Sequence, residues 1–301
     1  MAEDVTDAGT QAPAMGGFVY PWQVLTDHLP PAEAPGQVLT VRPAVQRIGV
    51  SDLGAALAQG WRDFSGHRTD VMFLCLVYPV LGLVLFRAAI GYDVLALLFP
   101  LAAGFALIGP LAGTGLYEMN RRLERGEAAS WRTPFAVLRA RALGAIVVLG
   151  VAFAALFIVW LQVALAIYEL FLGNAVPDSV GSFLASVFGT RAGWHMIIEG
   201  NLIGLLFAIV AFTLGALSFP MLIDGRFGRS TGERLGLAIG TSIRAVLANP
   251  LPMAAWGVIV AACLIAGSVP FFLGLVIVLP VLGHATWHLY RRVIAVPQPA
   301  G

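Results

Sequence analysis

Six runs of apolar residues, at about 71–90, 94–116, 143–172, 197–223, 252–269 and 271–290, set the terms for everything else in this chain. Each comes near the ~20 residues with which a helix crosses ~30 Å of hydrocarbon. Water does not reach the backbone there, so only helices and closed barrels satisfy every N–H and C=O. The runs lack the polar–apolar alternation of barrel strands. They predict an all-α, polytopic membrane bundle of six transmembrane helices. The third run exceeds the bilayer and must tilt or emerge, and only "SVP" divides the fifth from the sixth. At 58% hydrophobic and 12% charged, the chain falls far short of the roughly 25% charge of a soluble domain. A net charge of +1 supplies no field to draw nucleic acid.

Arginine placement orients the spans. There is no lysine, and all 18 basic residues are arginine. If the N-terminus, the second and fourth loops and the C-terminus share one side, that side holds every arginine except Arg87 and Arg191. Basic loops stay in the cytoplasm. A bacterial inner-membrane, multi-pass protein with both termini cytoplasmic is therefore expected. Residues 1–50, rich in proline, read as a disordered cytoplasmic tail, residues 51–294 as the membrane domain, and 295–301 as a short tail. The acidic start "MAEDVTDAGT" does not resemble a cleavable signal. Cys75 and Cys263 fall within spans and read as buried thiols.

Between the fourth and fifth runs lies "STGERLGLAIGTSIRAVLANP". Ser230 and Glu233 have capping-box spacing, and Asn249 before Pro250 ends the helix. Leu235, Ile239, Ile243, Val246 and Leu247 share one face, with Arg234 and Arg244 largely off it. The expectation is an amphipathic helix in the cytoplasmic headgroup layer, apolar face down and arginines towards anionic lipid. "SDLGAALAQGWRDFSGHR" repeats the design before the first span, with Leu53, Leu57, Trp61 and Phe64 on the stripe and Arg62 in the place of Arg244. "TPFAVLRARALGAI" is a weaker copy, with Thr133 as N-cap, Pro134 at the first helical position and Arg139 within it. Span ends repeat as well. "PLAGTGLYEMNRR" and "PVLGHATWHLYRR" share the proline, the glycine, the aromatic and the pairs Arg121–Arg122 and Arg291–Arg292. Three parallel units, 51–122, 133–229 and 230–292, follow, each an interfacial helix plus a hairpin. Convergence on common interface grammar is the alternative to duplication.

The arginine-bearing helix ending in "NP", the preceding "FPMLID", the terminal "HATWHLYRR" and the proline-rich tail together resemble the bacterial integral membrane family catalogued as domain of unknown function 2189. The resemblance spans about residues 42 to 294. It implies a membrane protein and brings no catalytic residues with it.

Candidate sites are few. His284 and His288 have the i, i+4 spacing of a two-histidine metal site, but Ala285 stands where a zincin needs glutamate, and no third ligand is near in sequence. Interface anchoring beside Trp287 and Tyr290 is the competing reading. Gly109 with Gly113, and Gly200 with Gly204, have helix-packing spacing. Gln162 and Asn201 are the more buried polar residues of the spans. Glu118 and Asp224 sit at span ends, suited to cytoplasmic ion pairs with nearby arginines rather than to a gate. Arg62, Arg121, Arg122, Arg139, Arg234, Arg244, Arg291 and Arg292 are expected to face lipid or a partner. Walker, G-x-S-x-G and HExxH patterns are absent from the sequence. No enzyme activity and no cofactor are expected. The residues point to a scaffold, accessory subunit or assembly factor engaging membrane lipids and another membrane complex. The alternatives are a transporter or channel for a small or lipidic solute, and an enzyme acting on lipid headgroups.

Overall fold

The computed structural model describes residues 42–66, 98–105, 109–173, 179–270 and 272–295, with single helical positions at Val80, Val84 and Arg87. The first apolar run, residues 1–41 and residues 296–301 lie outside the described residues. Within them the chain is mostly helical, beginning with β1 (Ala44–Val45), α1 (Val50–Gly66), α2 (Leu98–Phe105), α3 (Gly109–Ala112) and α4 (Thr114–Glu124). A 3-10 helix (Thr133–Arg139) leads to α5 (Leu143–Leu172), α6 (Val180–Gly189), α7 (Arg191–Gly215) and α8 (Ser218–Asp224). The chain closes with α9 (Thr231–Ala248), α10 (Pro250–Ser268), α11 (Leu275–Val293) and β2 (Ile294–Ala295).

Among the described residues, three stretches are long and apolar enough to cross a membrane: α5, the continuous run Arg191–Asp224 through α7 and α8, and α10. The described residues of the second expected span are helical in α2, α3 and the start of α4, with a turn at Gly113. The sixth starts later than expected, at Leu275, and runs past its expected end to Val293. Large apolar residues such as Val151, Ile158, Leu202, Leu206, Val258 and Ile265 stay exposed on α5, α7 and α10. Lipid is as apolar as they are, so their exposure carries no penalty in that solvent.

Proline sets the break in the run Arg191–Asp224. Pro220 has no N–H and crowds the carbonyl four residues earlier, and the helix opens at Ala216–Leu217 between α7 and α8. The loosened backbone is not left bare. The Ser242 hydroxyl from α9 donates to the Thr213 carbonyl at 2.8 Å and accepts from the Leu217 N–H at 3.3 Å. Those two groups would otherwise bond each other in an unbroken helix. The hydroxyl is thus inserted into the ladder, a recognised cause of a kink.

The leading helices pack in a closed sequence. α1 lies along α11, the 3-10 helix along α4, and α9 along α7 and α8. The α1–α11 crossing is very close, since a Cβ at Gly60 would fall 2.6 Å from the Ala285 nitrogen and 2.7 Å from the Val281 oxygen. Two ties reinforce it. His288 pairs with Asp63, and Arg292 reaches Asp52 and Gln59.

Several expectations need correction. Residues 43–49, expected in the tail, are strapped down: β1 pairs antiparallel with β2, and buried Asn249 holds the next turn. Its Oδ1 accepts from the Ile48 N–H and its Nδ2 donates to the Gln46 and Ala245 carbonyls. Arg244 adds a bond to the Pro43 carbonyl. On α9 the buried face is Arg234, Ala238, Thr241, Ser242 and Ala245, while of the apolar stripe Leu235, Ile239, Ile243 and Val246 are half-buried and Leu247 is exposed. Small side chains let α9 approach α7 and α8 closely, which the bulky stripe would prevent. The segment at 133 forms a 3-10 helix, with the Thr133 hydroxyl accepting from the Ser130 N–H rather than capping forward. Between α5 and α7 stands α6, which the apolar pattern did not single out. Ser179 and Ser182 close a reciprocal capping box at its start.

Candidate functional site: a buried polar layer at the arginine-rich end

Three helices, α4, α8 and α11, converge, and each delivers polar side chains into the interior. From α4, Glu118 accepts two bonds from Arg121, at 2.7 and 2.8 Å, and one from the Arg122 Nε at 2.9 Å. All three residues are buried. Helical spacing makes this local: Arg121 and Arg122 lie three and four residues after Glu118, on the same face. Burial pushes the Glu118 carboxyl up, against the Arg122 hydrogen bond and charge. The same burial, with Arg125 and Arg122 nearby, brings Arg121 down to about 10.

Asp224, at the end of α8, is the second centre. The Tyr290 hydroxyl donates to it at 2.7 Å, Arg226 donates at 2.7 Å from the other oxygen's side, and Arg291 stands at 3.6 Å. Arg291 also reaches Glu124 at 3.3 Å, and the Trp287 indole N–H donates to the same carboxylate at 2.8 Å. His284 and Asn120 bond across α11 and α4 at 2.8 Å. The layer combines ion pairs within α4 with bonds from α11 to α4 and α8, helices far apart in sequence. Each member has its geometry fixed by others, so it resists movement.

The expected histidine pair separates. His284 faces Asn120 in the interior and His288 turns to Asp63 on α1, so their i, i+4 spacing does not bring them to a shared point. Among the described residues, no three of His, Cys, Asp and Glu gather as they would around a metal ion. Of the arginines expected to face lipid or a partner, Arg62, Arg139 and Arg244 are exposed, Arg291 and Arg292 are half-buried and ion-paired, and Arg121, Arg122 and Arg234 are buried. Gly204 lies under the Trp160 ring of α5, and Gly113 under its own helix's Tyr117. Gly200 makes ordinary contact with Ile167, and Gly109 faces open space. Gln162 and Asn201 are both exposed, and Asn201 donates back to the Ile197 carbonyl of its own helix. Asn120, Asp63, Glu124, Ser242 and the latch role of Asn249 were not read from sequence. Only their partners' distant positions in the chain give them meaning.

With the helices and this layer in place, the comparison with known families is direct. Residues 98–224 match the family model described as a predicted integral membrane protein, domain of unknown function 2189. The chain is an integral membrane protein with transmembrane-capable helices. The DUF2189 match runs from α2 to the end of α8 and includes Glu118, "FPMLID" and Asp224. It is shorter than the 42 to 294 that the resemblance implied, leaving the "NP" helix and "HATWHLYRR" outside. No curated protein and no solved structure matches the chain.

Proposed function

We propose that this DUF2189-containing protein is a non-enzymatic scaffold, accessory subunit or assembly factor of a membrane complex. It crosses the inner membrane six times, with both termini and the polar layer on the cytoplasmic side. Three parallel units build it. Each unit's leading helix packs on the last span of the unit before, and α1 on α11 closes the ring. That closure supports duplication over convergence, because shared interface grammar alone would not dictate which helix packs on which.

The observation that carries the scaffold reading is where the charges go. Glu124, Asp224 and His288, with Arg291 and Arg292, are spent on ties between helices, Tyr290 and Trp287 complete them, and Glu118 is closed off by the arginines of its own helix. A reaction centre or a solute path needs polar groups directed at a third molecule. The carrier reading rested on Gln162 and Asn201 lining a midplane cavity, and both lie on the outer surface. Exposed amides at that depth suit contact with another protein's helices, where they find partners. The test is affinity purification from native membranes in mild detergent, followed by mass spectrometry. A stoichiometric membrane partner is expected, and recovery of the protein alone as a monodisperse species overturns the reading.

A further inference from the structure

Arg234 is unlike the other buried arginines. Where Arg121 and Arg122 close on Glu118, Arg234 is 5% exposed. Its Nε and Nη1 are shut off from solvent without a hydrogen-bond partner among the described residues. A guanidinium placed so is an uncompensated buried ion, an unfavourable arrangement unless a partner neutralises it.

Its surroundings are mostly of one sign. Arg141, just ahead of α5, is the strongest charge acting on it, ahead of the one acidic neighbour, Glu233. The Glu233 carboxylate is itself engaged by the Arg229 N–H at 2.8 Å. Two helix N-termini meet at this point. A Cβ on Gly144, in the first turn of α5, would come within 3.1 Å of the hydroxyl of Thr231, the first residue of α9. Both ends bear the partial positive charge of unsatisfied N–H groups. An arginine in the first turn of α9 stands at the wrong end of that helix's dipole. The connecting loop is folded tightly over it: Gly228 has φ +78°, and a Cβ there would lie 2.9 Å from the Arg234 nitrogen. Burial and Arg141 both lower the pKa of Arg234, and Glu233 only partly opposes them.

The missing complement is an anion with several acceptor oxygens, able to bridge two guanidiniums and take N–H groups from helix ends. Gly144, Arg141, Thr231 and Gly232 are exposed and leave an approach. Exposed Val147, Val148 and Val151 begin the membrane-facing side of α5 one turn further on. That sets the site at headgroup depth. We propose that Arg234 and Arg141, at the joined N-termini of α5 and α9, bind a phosphate group, carried by a phospholipid headgroup or supplied as free phosphate. The site stands apart from the scaffold reading and survives its failure.

The test uses the full-length protein in a neutral detergent, followed by thermal unfolding. Phosphatidylglycerol, inorganic phosphate and sodium chloride at matched ionic strength are titrated separately. A saturable rise in Tm with phosphatidylglycerol alone identifies the headgroup as the source, and a rise with both phosphate sources identifies a site open to the free ion. In Arg141→Gln and Arg234→Met the apparent affinity should fall by about tenfold or more, the loss of one charge-assisted contact. Arg234→Met should also unfold no earlier than the parent protein without ligand, because it removes an uncompensated charge. The proposal is overturned by no saturable rise, by a rise that chloride reproduces, by variants that titrate like the parent, or by an Arg234→Met protein that unfolds well below it. Arg141 is exposed, so Arg141→Gln gives a readout free of any folding defect.

Discussion

A single hydroxyl holds the break between α7 and α8, and its contribution can be separated from the general effect of losing a serine. Ser242→Ala should cost about 1–3 kcal/mol, because the Thr213 carbonyl and Leu217 N–H lose their partner where water cannot replace it. Ser268, whose hydroxyl only bonds back to the Leu264 carbonyl of its own helix, serves as the control, and Ser268→Ala should be close to neutral. Thermal unfolding in detergent compares the two, and equal costs would remove the relay from Ser242. Asn249 allows an isosteric test of the strap. Asn249→Asp places an oxygen against the Gln46 and Ala245 carbonyls, which now accept from Nδ2. The strand pair should loosen, and protease cleavage within residues 43–49 should rise. Glu118→Ala belongs to the same scale and should cost about 3–5 kcal/mol, since it leaves two buried guanidiniums without their shared carboxylate.

Between elements, the decisive contacts are close approaches, and these explain what sequence could show. The apolar runs announced α5 residue for residue, and they announced α10 to within two residues, because length and hydropathy alone define a helix in lipid. Ser230 as the cap of α9 and Asn249 as its stop were legible for the same reason: both act within one turn. Which face of α9 turns inward was not legible. Hydropathy nominated Leu235, Ile239 and Ile243, and the protein buries Ala238, Ser242 and Ala245, because contact between membrane helices is limited by side-chain size rather than driven by aversion to water. The polar layer was half legible. Glu118 with its arginines is local, while Asp224 with Tyr290 and His284 with Asn120 join residues 66 and 164 positions apart. Gly60 gives the matching prediction. Gly60→Ala forces a methyl group into α11 backbone that cannot yield, so α1 should detach and become accessible to protease. Gly54→Ala, on the exposed side of α1 with nothing within 4 Å, should raise stability by up to about 1 kcal/mol through helix propensity. If both changes leave α1 equally protected, the crossing is looser than its geometry implies.

For the whole molecule, the packing order and the arginine distribution make the same demand by independent routes. α1 can lie on α11, the 3-10 helix on α4, and α9 on α7 and α8 only if the ends of α4, α8 and α11 reach one face of the membrane. In the topology proposed from arginine avoidance of translocation, that face is the cytoplasmic one. Single-cysteine labelling joins the two, after Cys75 and Cys263 are replaced by serine. Arg125→Cys and Arg229→Cys, at exposed positions beyond α4 and α8, should react with a membrane-impermeant maleimide only after cell lysis. Ser179→Cys and Thr190→Cys, at the two ends of α6 and also exposed, should react in intact cells. Labelling of position 229 from outside would put α9 on the wrong face. Protection of both 179 and 190 would leave α5 and α7 without the turn that makes them antiparallel. Either result dissolves the ring of units, since a chain that ends its spans on different faces cannot bring α1 back onto α11.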